Sequence, residues 1–220
     1  MIMTENIIML AQGTGETLYM TLASVLFSYL LGLPLGVLVV ATGKQGICPH
    51  PKLNTALGWA IDIGRSIPFI ILIMDLVPVT RAIVGKAIGA TASVVPLVIA
   101  ATPFVARMVE TSLEEVDHGV VEAAKTMGAT GWEIVTKVLL PESFPSLLRG
   151  MSITTITLIG YSAMAGAVGA GGLGDIAIRY GMHRYDAQMM NVTLVLIIII
   201  VAVIQFGFNQ TARAIDKRAR

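Results

Sequence analysis

With 220 residues, 55% of them apolar and 13% charged, and a mean hydropathy of +0.79, the chain is predicted to be an integral membrane protein and not a soluble domain. Its net charge of +1 gives no reason to expect nucleic acid as a partner. The single cysteine, Cys48, excludes an internal disulfide.

Met1 to Gly15 carries no basic residue ahead of its apolar stretch, so no signal peptide is expected and the first span doubles as the insertion signal. Thr4 to Leu10 reads as a short interfacial helix before that span. Residues 17–42 form the first long uncharged run, enough to cross about 30 Å of hydrocarbon with tilt. Gly32 and Gly36 make a small-xxx-small pattern there, with Pro34 between them. Gly43 to Asn54 reads as a loop, from its glycines and prolines.

A second span is expected over 57–76, and it holds Asp62, Arg65 and Asp75. A charge at a helix centre costs roughly 2.5–3.5 kcal/mol on insertion scales, so these should face protein or a wet cavity. Asp62 and Arg65 stand at i,i+3 and allow two readings: a structural ion pair near the boundary, or a polar lining of a translocation path. Pro68 should kink the span. A third uncharged run covers 87–106, punctuated by Pro96 and Pro103.

Residues 117–141 break the apolar pattern. Val121 to Met127 is good helix-forming sequence, Asp117 can cap it, and Gly128 to Gly131 permits a turn. Thr130 with Glu133 is a capping-box pattern that starts a second helix near Gly131. Glu133 and Lys137 pair at i,i+4, with Val135, Val138 and Leu139 on another side, and Pro141 is expected to end the helix. The unit is amphipathic, and too short and too charged to span a bilayer. An ordinary interfacial helix would carry a basic polar face, whereas Glu122, Lys125, Glu133 and Lys137 balance in sign.

The fourth span, 150–168, is dense in small residues and hydroxyls, from Ser152 to Ser162 and Gly166, and reads as a packed or pore-lining helix. Within Gly160 to Gly174, Met164 is the one long, flexible side chain, and its immediate neighbours Ala163 and Ala165 are small. It allows either ordinary packing or a gate, in which methionines from two copies plug a central path. Val168 to Asp186 reads as a glycine-rich, then polar connection, a flexible external loop that lets backbones pass closely, leading to a fifth span, 187–212. Five spans with the amino terminus outside put Lys44, Lys52, Arg107, Lys125, Lys137, Arg149, Arg213, Lys217, Arg218 and Arg220 in the cytoplasm. Only Arg81, Lys86, Arg179 and Arg184 are then external, as the positive-inside rule requires.

Gly169, Gly171 and Gly174 match a dinucleotide fingerprint only formally, because no strand precedes them. No phosphate-loop motif occurs, the three histidines lack ligand spacing, and no nucleophile–base pair stands out, so no metal site and no enzyme activity is expected. No internal repeat is evident, and 1–220 reads as one membrane domain.

Glu122-Ala123-Ala124, Gly128 and Leu140-Pro141 resemble the EAA loop of ATP-binding-cassette (ABC) importer permeases, with Val138 where that pattern prefers isoleucine. Arg65 to Ile71, Ala106 to Glu110, Val138 to Glu142 and Gly160 to Gly174 together resemble the permeases of methionine ABC importers, over nearly the whole chain. The resemblance implies an all-α type I importer permease fold in a bacterial inner membrane. It implies a homodimer on two copies of a cytoplasmic ATPase, which uses ATP and Mg, and an external methionine-binding lipoprotein. This chain would bind no cofactor itself. Glu122, Ala123, Ala124, Gly128, Leu140 and Pro141 would dock the ATPase; Met164, Ser162, Arg65 and Asp62 would belong to the gate or path. Related permeases for quaternary amines share glycine-rich runs like that of Gly169 to Gly174, so an importer of a quaternary amine, or of another small amino acid, is the alternative. An ion-coupled secondary transporter is the other class, with Asp62, Arg65 and Asp75 as its coupling groups.

Overall fold

The computed structural model describes residues 2–215, and every regular element among them is helical. Lys217, Arg218 and Arg220, counted above among the cytoplasmic cations, lie outside the described residues. Helix is what an apolar solvent demands, since each backbone N–H and C=O must find its partner within the segment.

The first helix, α1 (Ile2–Thr42), has 41 residues and so reaches about 60 Å at 1.5 Å per residue. The expected separate helix over Thr4 to Leu10 is absorbed into it. Nothing between the two segments breaks the ladder. Gln12 donates to Glu16 at 3.1 Å, the Thr14 hydroxyl returns to the Leu10 carbonyl at 2.8 Å, and Gly13 serves packing, because a β-carbon there would meet Ile176 Cδ1 at 2.5 Å.

The chain gathers into two compact units, Met1–Phe27, Ile67–Ala101 and Thr154–Phe206 in one, and Ser28–Ser66, Thr102–Ile153 and Gly207–Arg220 in the other. The second unit packs the carboxyl half of α1 against α2 (Pro51–Ser66) and the carboxyl half of α5 (Ala90–Glu114), around buried Val39, Ile61 and Ala106. The small-xxx-small pattern works as expected. A β-carbon at Gly36 would sit 2.6 Å from the Ala106 carbonyl, and one at Gly32 would sit 2.7 Å from Val105 Cγ1. The last carbonyls of α1 are met by the loop and by the first turn of α2: Cys48 N–H bonds Ala41 and the Asn54 side-chain amide bonds Val39, at 2.9 and 2.8 Å.

The expected span over 57–76 is not one helix. It breaks at Ile67-Pro68, and a new short helix, α3 (Phe69–Asp75), begins after Pro68, followed by α4 (Val77–Val84). A kink would have sufficed for the missing N–H alone. The residue before a proline is also driven out of the α region, and together these end the helix. In the first unit α3 and α4 lie with α9 (Gly172–Ile176), a π-helical segment (Ala177–Met182) and α10 (Ala187–Ile215). Leu173, Ile176 and Met189 are its buried centre, and Phe69 stacks on Tyr161 with ring centroids 4.7 Å apart.

Glu5–Thr42, Ala90–Glu114 and Ala187–Ile215 are long and apolar enough to cross a membrane; α2 and α3 pass the same test only when taken together. The helix expected to supply another span, α8 (Leu140–Gly166), carries a buried stripe of Thr155, Ile159 and Ser162 flanked by buried Thr154 and Leu158. That stripe matches the packed character read from its small residues and hydroxyls.

Candidate functional site

In the second unit, the polar segment folds into a capped helical loop. The Asp117 carboxylate accepts from the Gly119 N–H at 2.6 Å and starts α6 (His118–Thr126). Gly128 ends it with φ +83°, while its N–H bonds the Lys125 carbonyl and the Ala129 N–H bonds the Ala124 carbonyl, the paired bonds of a Schellman cap. Glycine is required here by conformation alone, because a β-carbon would meet nothing within 4 Å.

Helix α7 (Gly131–Glu133) then opens on the expected capping box: Thr130 N–H donates to Glu133 at 3.0 Å, and Glu133 N–H donates to the Thr130 hydroxyl at 3.3 Å. Lys137 pairs with Glu133 at 2.9 Å. The Lys137 ammonium, then the Thr130 N–H and hydroxyl, hold the Glu133 carboxyl down at about 2, against an ordinary 4.5. Because the folded value is the lower one, this cap contributes its full stability above pH 4.5 and loses it as pH falls through about 2. Protection of the Thr130 amide from exchange, relative to an unstructured amide at the same pH, should therefore stay constant above the ordinary carboxylate range and fall only within that acid window.

Pro141 does not end the helix, contrary to expectation. From Ile134 to Leu139 the chain is π-helical, with the Leu140 N–H bonded to the Val135 carbonyl, and α8 then runs on through Pro141. The proline falls in the first turn after the π segment, where the wider register relieves the clash between its ring and the preceding carbonyls. Buried Ile134, Val135 and Leu139 seat this segment, and α6 packs against it. Of the residues expected to dock a partner, Ala124 is buried inside the unit, while Glu122, Ala123, Gly128 and Pro141 are exposed and Leu140 is half-buried. The sequence reading passed over Met127 and Trp132, which stand 82% and 75% exposed beside the Gly128 turn. Two large apolar side chains flanking a glycine turn in a charged segment were the available signal.

Asp62 and Arg65 do pair, but at 3.7 Å; the closer partner of Asp62 is Arg107 of α5, at 2.7 Å, which also binds Glu110 at 2.7 Å. This network ties α2 to α5 beside the contact of Gly64 with Pro103, and it supports the structural reading of the pair. Glu110 is the least exposed member, its side chain 12% exposed, and Asp62 is open. Arg107→Gln should therefore destabilise the protein by roughly 2–3 kcal/mol, less than for a fully buried pair, and Asp62→Asn by less than that. Thermal unfolding of the purified variants gives the comparison.

Met164 and Ser162 belong to the other unit. Met164 is 43% exposed, whereas Ser162 is buried and its hydroxyl is spent on the Ile159 carbonyl at 2.8 Å. The glycine-rich stretch after Met164, expected to be a flexible external loop that lets backbones pass closely, does bring backbones together, but as a packed turn. Helix α9 folds back so closely on α8 that a β-carbon at Gly174 would strike the Ala163 backbone and one at Gly166 the Asp175 backbone. From α1, the Glu16 carboxylate accepts the Gly172 N–H at 2.7 Å and the Thr17 hydroxyl accepts the Leu173 N–H at 2.9 Å. Asp175 of α9 binds Arg179 of the π-helical segment that follows, at 2.5 Å. Sequence reasoning missed Glu16 and Thr17, whose partners lie 156 residues away.

Comparison with known proteins places this geometry. The chain is 50% identical, over 96% of its length and 93% of the relative's, to the probable D-methionine transport system permease protein MetI of Vibrio cholerae. It is 49% identical to the D-methionine transport system permease protein MetI of Escherichia coli K12, over 72% of this chain and 73% of that one. A chain from the inward-facing MetNI methionine ABC transporter superposes with a TM-score of 0.95 at 49% identity, covering 96% of this chain and 98% of the other. Residues 32–220 match the family described as the binding-protein-dependent transport system inner membrane component, and the chain belongs to that family.

Proposed function

We propose that the chain is the permease subunit of an ATP-driven methionine importer, a homodimer carrying two copies of a cytoplasmic ATPase and fed by an external methionine-binding lipoprotein. The observation that carries this reading is mechanical. A doubly capped loop exposes Glu122, Ala123, Met127 and Trp132, and from Gly131 to Gly166 an unbroken helical path leads from that loop to Met164. An amphipathic element of this kind suits helix-in-groove docking. ATP, with Mg, draws the two ATPases together, the loops follow as rigid bodies, and the permease alternates between openings on either side. About half identity over 93% or more of both chains, to a permease named for D-methionine and to a chain of a transporter named for methionine, supports the substrate class.

Five spans with the amino terminus outside fit this mechanism, the broken α2–α3 pair and the hydroxyl-rich α8 supplying the two that fall short on apolarity alone. That orientation puts the loop in the cytoplasm with the majority of the cations. Met164 acts as the gate, its flexible thioether sealing against the copy in the partner subunit. Met164→Ala should make the resting complex leak small solutes in proteoliposomes, read as dye efflux without ATP; unchanged efflux removes the gate. Ser162, whose hydroxyl is bonded within its own helix, supports packing of that helix, and Asp62 and Arg65 brace α2.

Reconstitution with the ATPase and the binding lipoprotein tests the whole reading. Labelled L- and D-methionine should accumulate only with ATP inside. Accumulation of another small amino acid or a quaternary amine in its place would reassign the substrate, and uptake by the permease alone on an ion gradient would reject the ATP-driven class.

A further inference from the structure

In the first unit, α3, α4 and the start of α5 enclose a cavity of about 330 Å³ that the transport reading leaves without a role. Its wall is apolar for the most part, from Ile73, Met74, Val77 and Pro96, and it includes two polar groups without protein partners. The Thr80 hydroxyl is buried, the residue 3% exposed, and bonds nothing. Helical threonines elsewhere, Thr14, Thr42 and Thr193, return theirs to the carbonyl four residues back. Two other buried hydroxyls, Thr21 and Ser24 on α1, share this condition, but neither lines this cavity. Next to Thr80, Arg81 is exposed and forms no ion pair among the described residues. The remaining hydroxyl in the wall, that of Ser93, is already bonded to the Gly89 carbonyl at 3.1 Å.

No carboxylate lines the cavity, so nothing there would balance an ammonium group. A zwitterionic amino acid is therefore a poor match. An anion with several acceptor oxygens, joined to an apolar chain, satisfies every wall group at once. The guanidinium takes two oxygens, the threonine donates to a third, and the hydrocarbon lies along Ile73, Met74 and Val77. Exposed Ile71, Ile83 and Ile88 on the same helices and turn extend the apolar surface. We propose that this cavity is a binding site for the phosphate and proximal acyl chain of an anionic phospholipid. The site shares no lining residue with the coupling loop and does not include Met164, although Val168 four residues on lines it, and its failure would leave the importer reading untouched.

The test is native mass spectrometry of the permease–ATPase complex released from nanodiscs of phosphatidylglycerol, of phosphatidylcholine, or of a mixture. One phosphatidylglycerol per permease chain should be retained, in preference to phosphatidylcholine. Arg81→Gln should weaken retention about tenfold, as loss of a charge-assisted bond implies, while Arg81→Lys keeps part of it. Thr80→Val, nearly isosteric, should weaken it several-fold, and it carries the test if Arg81→Gln fails to assemble. Equal retention of both lipids, or retention indifferent to both substitutions, would overturn the site. So would displacement of the lipid by inorganic phosphate, which would mark a free-anion site, or by methionine, which would mark a substrate site.

Discussion

Leucine in place of Gly128 is expected to lower ATP-driven methionine uptake about tenfold while the protein still inserts and dimerises. The residue holds φ +83°, and its N–H and that of Ala129 close the cap on α6. A side chain forced into this conformation costs roughly 1–2 kcal/mol, a factor of about 5–30 in the population of the correct turn. Crowding contributes nothing, since a β-carbon there meets nothing within 4 Å. Two controls therefore separate conformation from bulk. Alanine should show most of the loss, and asparagine, which tolerates the left-handed region, should retain most of the uptake. The measurement is uptake alongside binding-protein-stimulated ATP hydrolysis in proteoliposomes. If leucine transports normally, the turn does not set the angle at which the loop meets its partner.

The second large effect is expected at Glu16. Glu16→Ala removes the acceptor of the Gly172 N–H, at 2.7 Å, and a half-buried donor left unmet costs roughly 1–3 kcal/mol. Helix α9 would then be held to α1 by the Thr17–Leu173 bond alone, while still pressed against α8 next to Met164. The expected result is slippage: more ATP hydrolysed per methionine taken up, rather than a uniform loss of both. Glu16→Gln keeps an acceptor oxygen and should restore most of the ratio. A purely structural role would instead lower thermal stability in Glu16→Ala with the ratio unchanged.

These two residues mark what could and could not be read ahead of the structure. The coupling loop was legible because its determinants are local: Asp117, the Thr130–Glu133 box, the Glu133–Lys137 pair and Gly128 all act within four residues of their partners. Gly32 and Gly36 were legible because small residues in lipid have few other uses. The role of Pro141 was misread because a rule for α-helices was applied where the chain had widened to a π register. Pro68 was under-read for the converse reason, its effect on Ile67 adding to its own missing donor. Asp62 drew its nearest partner from 45 residues away, and Glu16 and Thr17 theirs from 156. Such pairs leave no trace in local spacing. The glycine run after Met164 was read for both mobility and close backbone approach, because glycine signals either, and the close approach is what the packed turn uses.

The central claim is that the loop from Asp117 to Pro141 is a cytoplasmic lever seated on a separate ATPase. It is tested most directly by maleimide labelling of Met127→Cys in a Cys48→Ser background, since Cys48 is itself exposed. The account predicts labelling in inside-out vesicles, none from the external face of intact cells, and protection once the ATPase is bound. Labelling from outside, or labelling that the ATPase leaves unchanged, would contradict it.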